Sequence, residues 1–363
     1  MKKNELLNEI VNRLSLSKTA METLARSYNY IGEWLTGSDE ISHLGDVSIK
    51  PQGSVGLGTA IKPISDDDEY DVDLVCIINN SRLKSNLKLL KHSVGNRLKE
   101  HENYKDTEEG KRCWKVQYSN YHMDILPCCP DDSKVNYLVA TEKVNEDLYI
   151  PHSTNPIEYR DWFLSKCRKI TTFEAKSIDP IKVYDEISHL QMIVQLLKRH
   201  RDMWVENNKK NVDDKPISII ITTLAAESYV GTGDLYVDFV NVVKSLKSNI
   251  QVEHDKFVIK NPVDSKENFA DKWDSHPNRR IIFFEWLKNL ENDIELFYRL
   301  NNDQEIGELA KKLFGENIIK GIYGDYAKTF KEHRENGSLY ADSYGKLNTN
   351  NGNQVKEHKF YGI

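Results

Sequence analysis

Long apolar runs are missing from this chain. Nowhere in its 363 residues do about eighteen apolar residues follow one another, so no membrane-spanning helix is expected. Cysteine pairs at metal-binding or redox spacing are missing too. Cys76, Cys113, Cys128, Cys129 and Cys167 show no C-x-x-C, and an odd, scattered set of five suits reduced thiols in a cytoplasmic protein. The adjacent Cys128 and Cys129 read as small hydrophobes after a strand end, because neighbouring thiols hold one zinc poorly and no second pair follows. Nor is there an excess of positive charge. Fifty Lys and Arg against 56 Asp and Glu leave a formal charge of −6, which argues against a broad basic surface for duplex DNA or RNA. A local basic pocket for a small anion remains compatible with that balance. The opening MKKNELLNEIVNRL is polar and amphipathic, without the continuous apolar centre of a signal peptide.

Hydrophobic residues make up 39% and charged residues 29%, which suits a globular chain with a sizeable core, and the length suits two domains. Residues 4–35 have helical periodicity in two segments, with Ser15 or Ser17 placed to cap the second. Strand signals follow at DVSIKPQ (46–52) and YDVDLVCII. A basic helix over 83–101 places Leu87, Leu89, Leu90, Val94 and Leu98 on its apolar side. CWKVQYS and YHMDILP then alternate in period two around Asn120 and read as a hairpin. From about 155 the pattern is helical, with the last candidate running from QEIGELAKKLF to KEHREN. The domains expected are therefore a mixed α/β part over 1–155, a helical part over 156–335, and a loose Asn/Gly/Ser/Lys-rich tail over 336–363.

The stretch PQGSVGLGTAIKPISDDDEYDVDLVCII (51–78) carries the chemistry. In a strand, side chains at i and i+2 share a face. Asp71 and Asp73 therefore stand side by side, while Val72, Leu74 and Cys76 face the core. Two carboxylates this close repel unless a cation neutralises them. Asp124 in YHMDILP is a third, if its strand pairs beside the first. Three carboxylates suit two Mg²⁺ (or Mn²⁺) ions for in-line nucleotidyl transfer, one activating the attacking hydroxyl and one steadying the triphosphate. Gln52, Gly53 and Ser54 form the turn before them. Gly53, Gly56 and Gly58 let backbone N–H groups approach an anion, Ser54 offers a hydroxyl to terminal phosphates, and a following helix would add a partial positive charge. Taken singly these signals also fit an acidic loop running into a buried strand.

The combination PQGSVGLGTAIKP, YDVDLVCII and YHMDILP resembles the DNA polymerase β-like nucleotidyltransferase superfamily. More closely it resembles the bacterial cGAS/DncV-like nucleotidyltransferases (CD-NTases) of CBASS antiphage systems. LQMIVQLLKRHRD, KPISIIITTLAAESY and NPVDSKENFADKW resemble stretches of that family's helical lobe, and the likeness covers about residues 40–300. The resemblance implies an α+β fold of two lobes, a mixed-sheet palm carrying Gly53, Ser54, Asp71, Asp73 and Asp124 and a helical lobe closing over the nucleotide. It implies a synthase of cyclic di- or trinucleotides from ATP, and possibly GTP, with pyrophosphate release. By motif, Lys198 and Ser218 match the lysine and serine that touch the donor triphosphate; without the resemblance they read as a solvated helix face and a helix N-cap. No Cys/His cluster matches the zinc insertion of the DNA-sensing animal relative. His189 and His200, eleven apart on one helix, have no Cys or Asp evident as a partner. An accessory protein gripping the C-terminal segment, which ends HKFYGI, is a further expectation carried from one group of such systems. The alternatives are a polymerase-like transferase extending an RNA end or a protein, and a catalytically silent scaffold.

Overall fold

The computed structural model describes all residues except 66–68, 134–135, 144–147, 168–177, 180, 182–186, 344, 346 and 356–363. The chain divides into two compact units, Met1–Arg299 and Leu300–Ile363.

The first unit begins with α1 (Lys3–Leu14), α2 (Lys18–Thr36) and a short α3 (Asp39–Ser42). The expected break between the first two is real: Ser17 caps α2 by accepting the Ala20 N–H. Then come β1 (Asp46–Gln52), α4 (Gly53–Leu57), β2 (Tyr70–Asn79), α5 (Leu87–Lys99), β3 (Glu108–Glu109), β4 (Trp114–Gln117), β5 (Tyr121–Pro130), β6 (Tyr137–Lys143) and β7 (Tyr149–Thr154). They form one mixed sheet in the order β1-β2-β5-β4-β3, with β6 and β7 continuing from the far half of β5. Among the described strands only β2 and β5 pair in parallel.

Alternation fixes which way each strand faces. Val72, Leu74, Cys76 and Ile78 of β2 join Met123 and Ile125 of β5 in a core closed by Leu24, Tyr28 and Ile31 of α2 and by Leu90, Val94 and Leu98 of α5. On the opposite face Val75 and Ile77 pack with Leu126, Cys128 and Val139, covered by Ile157. The aspartates stand at the leading end of that second face. Cys128 and Cys129 thus lie within β5 as buried small residues, rather than after its end. Leu89, expected on the apolar side of α5, is 41% exposed, because the helix begins at Leu87 and turns that position outward.

The remainder of this unit holds α6 (Pro156–Lys166), α7 (His189–Asn207), α8 (Ser218–Ser228), α9 (Leu235–Ser245), α10 (Lys272–Ser275) and α11 (Pro277–Arg299). Two hairpins interrupt this helical stretch, β8–β9 (Gln251–Glu253, Lys256–Val258) and β10–β11 (Lys260–Asn261, Asp264–Asn268), which the helical reading of the second half did not include. Helix α7 is buried almost all round. Gln191, Gln195, Lys198 and Arg199 donate to the carbonyls of Leu57, Ala60, Thr59 and Lys62, at 2.8, 3.0, 3.0 and 2.6 Å. Leu57 is the last residue of α4 and the other three carbonyls lie in the segment after it, outside any strand or helix, so α7 supplies the partners a ladder would otherwise give. The two histidines of α7 do have acidic partners, on other elements: His189 meets Asp238 at 2.9 Å and His200 meets Asp293 at 3.3 Å.

In the second unit the expected last helix is two, α12 (Asp303–Phe314) and α13 (Glu316–Glu335), parted at Gly315 with φ +108°. The stretch expected as a loose tail folds in part. Residues 340–341, 347–348 and 353–354 form a small antiparallel sheet, β12–β14, beside the buried Leu339. Asn348 accepts from the Asn350 and Asn351 N–H groups, so part of the Asn/Gly richness is turn chemistry. The terminal HKFYGI lies outside the described residues.

Gly95 of α5 stacks directly on Trp114, and a Cβ there would stand 2.1 Å from the indole. Gly95→Ala is expected to lower stability by about 1–3 kcal/mol, read as a lower urea midpoint with an unchanged slope.

Candidate active site

The site is built where β1 hands over to α4. Gly53 has φ +61°, and a Cβ on it would lie 1.9 Å from Oδ2 of Asp73. The glycine is required twice, for the left-handed backbone and for the close approach of the carboxylate. Gln52 pairs with Asp73 in the β1–β2 register, so the Gly53-Ser54 turn is held against the aspartates by the sheet itself.

The parallel β2–β5 register sets Asp73 beside Asp124 and Asp71 beside His122. All three aspartates share the sheet face opposite the main core. Burial, then Asp124, then Asp71 push Asp73 up to about 7, with Lys198 opposing. Oδ1 of Asp124 is buried and has no hydrogen-bond partner; the His122 Nε2 stands 3.9 Å away. The same Nε2 lies 3.0 Å from Asp71 Oδ1, and His122 Nδ1 lies 3.5 Å from Glu69. The Cys113 thiol also lies against Asp124, pushed up to about 12 by burial first and then by that carboxylate.

An orphaned buried carboxylate oxygen beside a carboxyl whose charged form burial and like charge disfavour fits a bound cation. The donors are hard oxygens, suited to Mg²⁺ or Mn²⁺. Among the described residues no three His, Cys, Asp or Glu side chains close into a complete ligand cluster. Completing the coordination would fall to triphosphate oxygens and water, as is usual for Mg²⁺.

A cavity of about 450 Å³ opens over this turn, walled by Gln52, Gly53, Ser54, Asp71, Asp73, Lys198 and Ser218 among others. Seven of the eight binding and catalytic candidates line it; Asp124 lies alongside Asp73 rather than on the wall. Lys198 is buried, not on a solvated helix face. Its ammonium donates to Thr59 O at 3.0 Å and Thr59 Oγ1 at 3.2 Å. Burial first, then Arg201, lower it to about 7, against the pull of Asp202, Asp73 and Asp71. Ser218 is the first residue of α8 and not its cap, which is Ile217. Its Oγ accepts from Arg201 Nη1 at 2.9 Å.

The same cavity is lined by residues that the sequence reading did not single out: Arg112, Tyr159, Phe269, Lys272 and Arg279. NPVDSKENFADKW did carry a signal for part of this wall. Asn268 accepts from the Ile259 and Ala270 N–H groups and so shapes the loop, and Phe269 meets Tyr159 edge-on at 5.8 Å.

A mixed sheet with a Gly-Ser turn, D-x-D on one strand and a third Asp on its neighbour defines a nucleotidyltransferase of polymerase β-like fold. Residues 1–166 match the family described as Second Messenger Oligonucleotide or Dinucleotide Synthetase domain. The chain is 29% identical over 343 residues to the c-di-GMP synthase of Roseivirga ehrenbergii, a similarity spanning 92% of this chain and 89% of that one. The CD-NTase CdnG of Bradyrhizobium diazoefficiens, solved with GTP, has the same fold with a TM-score of 0.69 at 17% identity, over 89% of this chain and 98% of that one. The Vibrio cholerae DncV cyclic AMP-GMP synthase gives 0.60 at 15% identity, over 85% and 93%. The first 166 residues thus resemble a second-messenger oligonucleotide or dinucleotide synthetase domain, and the chain shares its fold with solved CD-NTases.

Two outcomes follow from the geometry. Gly53→Ala moves the Asp73 carboxylate and is expected to lower turnover about a hundredfold or more, measured as pyrophosphate release. Asp73→Asn is expected to melt higher than the parent without divalent metal. Because the folded pKa of Asp73 is raised to about 7 from 3.8, the parent loses stability as pH rises between those values. The gap should be absent near pH 4, grow to pH 7 and stay level above it, and Mg²⁺ should narrow it by stabilising the parent. Melting curves from pH 4 to 8 check this.

Proposed function

We propose that the protein is a cyclic oligonucleotide synthase that joins purine nucleoside triphosphates, GTP among them, into a cyclic di- or trinucleotide. The observation that carries this reading is the convergence of Asp73, Ser54, Lys198 and Ser218 on one cavity, with Asp124 beside Asp73. The relative at 29% identity makes c-di-GMP, which brings GTP to the front of the substrates to be tried alongside ATP.

In each transfer, the ribose hydroxyl oxygen of one nucleotide attacks the α-phosphorus of another. The bond from that phosphorus to the β-bridging oxygen breaks, pyrophosphate leaves with the electron pair, and Asp124 accepts or directs the hydroxyl proton. A second such step within the linear product closes the ring. Ser54, Lys198 and Ser218 hold the donor's β- and γ-phosphates, and Gln52 with Gly53 shapes the turn under them. Two Mg²⁺ or Mn²⁺ ions on Asp71, Asp73 and Asp124 would, when bound, lower the pKa of the attacking hydroxyl and neutralise charge on the leaving pyrophosphate. Binding a triphosphate favours the charged form of Lys198, whose empty-site pKa is lowered to about 7. The product acts as a second messenger in antiphage defence, and the C-terminal segment over 336–363 docks on an accessory protein.

The discriminating experiment supplies GTP, ATP and their mixture with Mg²⁺ or Mn²⁺ and no acceptor, then identifies products by mass spectrometry and linkage-specific nuclease digestion. A cyclic product is expected. Extension only of an added RNA or protein would overturn the reading. Lys198→Ala is expected to raise the apparent KM for nucleotide about tenfold with less change in kcat, since one charge on a triphosphate stabilises ground and transition states alike. An unchanged KM would remove Lys198 from the phosphate site.

A further inference from the structure

Arg201 stands about one turn after Lys198 on α7. It is buried, yet it does not line the cavity. Its guanidinium is shared among three neighbours. Nε and Nη2 hold Asp202 Oδ1 at 2.9 and 2.8 Å. Nη1 donates to Pro216 O at 3.0 Å and to Ser218 Oγ at 2.9 Å. A residue outside the cavity thus bonds to the hydroxyl of one that lines it.

Packing alone does not call for a cation here. Helix α8 begins at Ser218, and its cap, Ile217, offers no side-chain acceptor to the first N–H groups. Such a helix end carries partial positive charge and favours an acid. Arg201 also opposes Lys198, whose ammonium is lowered to about 7 by burial first and by Arg201 next. Asp202 answers the guanidinium from one side only. A buried cation beside a helix N-terminus and a second cation is unfavourable in the empty protein and favourable once an anion arrives.

The effect of Arg201 on the hydroxyl is directional. A serine oxygen has one proton and two lone pairs. Nη1 occupies a lone pair, so the proton turns away from the guanidinium. The same nitrogen answers the Pro216 carbonyl, a local acceptor for which the hydroxyl would otherwise compete. Among the described residues the Ser218 hydroxyl donates to none. Its proton is left for a group in the cavity, and a charged donor on Oγ polarises the O–H toward that group.

We propose that Arg201 is a positioning residue for the donor triphosphate, orienting the Ser218 hydroxyl as a hydrogen-bond donor to its phosphate oxygens. This rests on the synthase reading above, which seats that triphosphate at Ser54, Lys198 and Ser218. Arg201 itself touches no phosphate and acts through Ser218.

The test is a cycle of variants of the full chain: Ser218→Ala, Arg201→Met, the two combined, and Arg201→Lys, which keeps a charged donor. Calorimetric titration with a non-hydrolysable GTP analogue and with guanosine monophosphate, each with Mg²⁺, gives the affinities. Ser218→Ala is expected to weaken the triphosphate analogue about tenfold and to leave the monophosphate nearly unchanged. Arg201→Met should weaken the analogue by a similar factor and cost nothing further in the Ser218→Ala background. Arg201→Lys should recover most of the loss. Multiplying losses in the double variant, or an equal loss for the monophosphate, make Arg201 a structural support and overturn the proposal. So does an Arg201→Lys chain as weak as Arg201→Met. Unchanged analogue affinity in Ser218→Ala overturns it whether or not Arg201→Met folds. Product analysis separates the two readings. A parent that binds the analogue but makes no cyclic product from GTP or ATP contradicts the synthase assignment and leaves the coupling of Arg201 to Ser218 standing. Cyclic product together with multiplying losses overturns the role of Arg201 alone.

Discussion

Repulsion among carboxylates that the sheet register forces together is the constraint on which the rest of the structure depends. The parallel β2–β5 pairing puts Asp73 directly beside Asp124, and the D-x-D alternation puts Asp71 on the same face. None of the three can turn away without flipping a strand whose other face packs in the main core, through Val72, Leu74 and Cys76 of β2 or Met123 and Ile125 of β5. The core therefore holds the charges in place. The resulting cost is visible in Asp73, which burial and its two neighbours push up to about 7. Apolar packing thus maintains an arrangement that is unfavourable until positive charge arrives.

Helix α7 performs the complementary task from the other side. Its buried row of Gln191, Gln195, Lys198 and Arg199 grips the carbonyl that ends α4 and those of the segment after Gly58. The Gly53-Ser54 turn is therefore fixed at one end by the β1–β2 ladder and followed at the other by a segment tied to α7. Lys198 belongs to both jobs, since the ammonium that would meet a phosphate is meanwhile satisfied by Thr59. On the proposed reading, the phosphate corner and the structural clamp share the Lys198 ammonium.

Much of this was legible in the sequence. Period-two alternation in YDVDLVCII and YHMDILP gave both strands and the facing of the three aspartates, because one face had to be apolar. Ser17 and Gly37 bounded α2 as caps do. Less was legible where long-range partners decide. The donor histidine beside Asp71 and Asp124 is recognisable only once β5 is seen to lie next to β2. Arg112, Lys272 and Arg279 are scattered over more than 160 positions of sequence and meet only in the folded cavity. His189 and His200 found their aspartates on other helices for the same reason. The hairpins over 251–268 escaped a helical reading because their strands are two to five residues long. In the second unit, Asn and Gly that suggested a loose end are partly turn residues of a small sheet.

The central claim is that Asp71, Asp73 and Asp124 form a cation-dependent centre for nucleotidyl transfer. Its most direct measurement is a crystal structure of the protein with Mn²⁺ and a non-hydrolysable GTP analogue, with the metal located by anomalous scattering. The account expects anomalous peaks within ligand distance of the three carboxylates and the analogue's phosphate oxygens, with Ser54 and Lys198 on the same triphosphate. Metal bound elsewhere, or a triphosphate seated away from the Gly53-Ser54 turn, would contradict it.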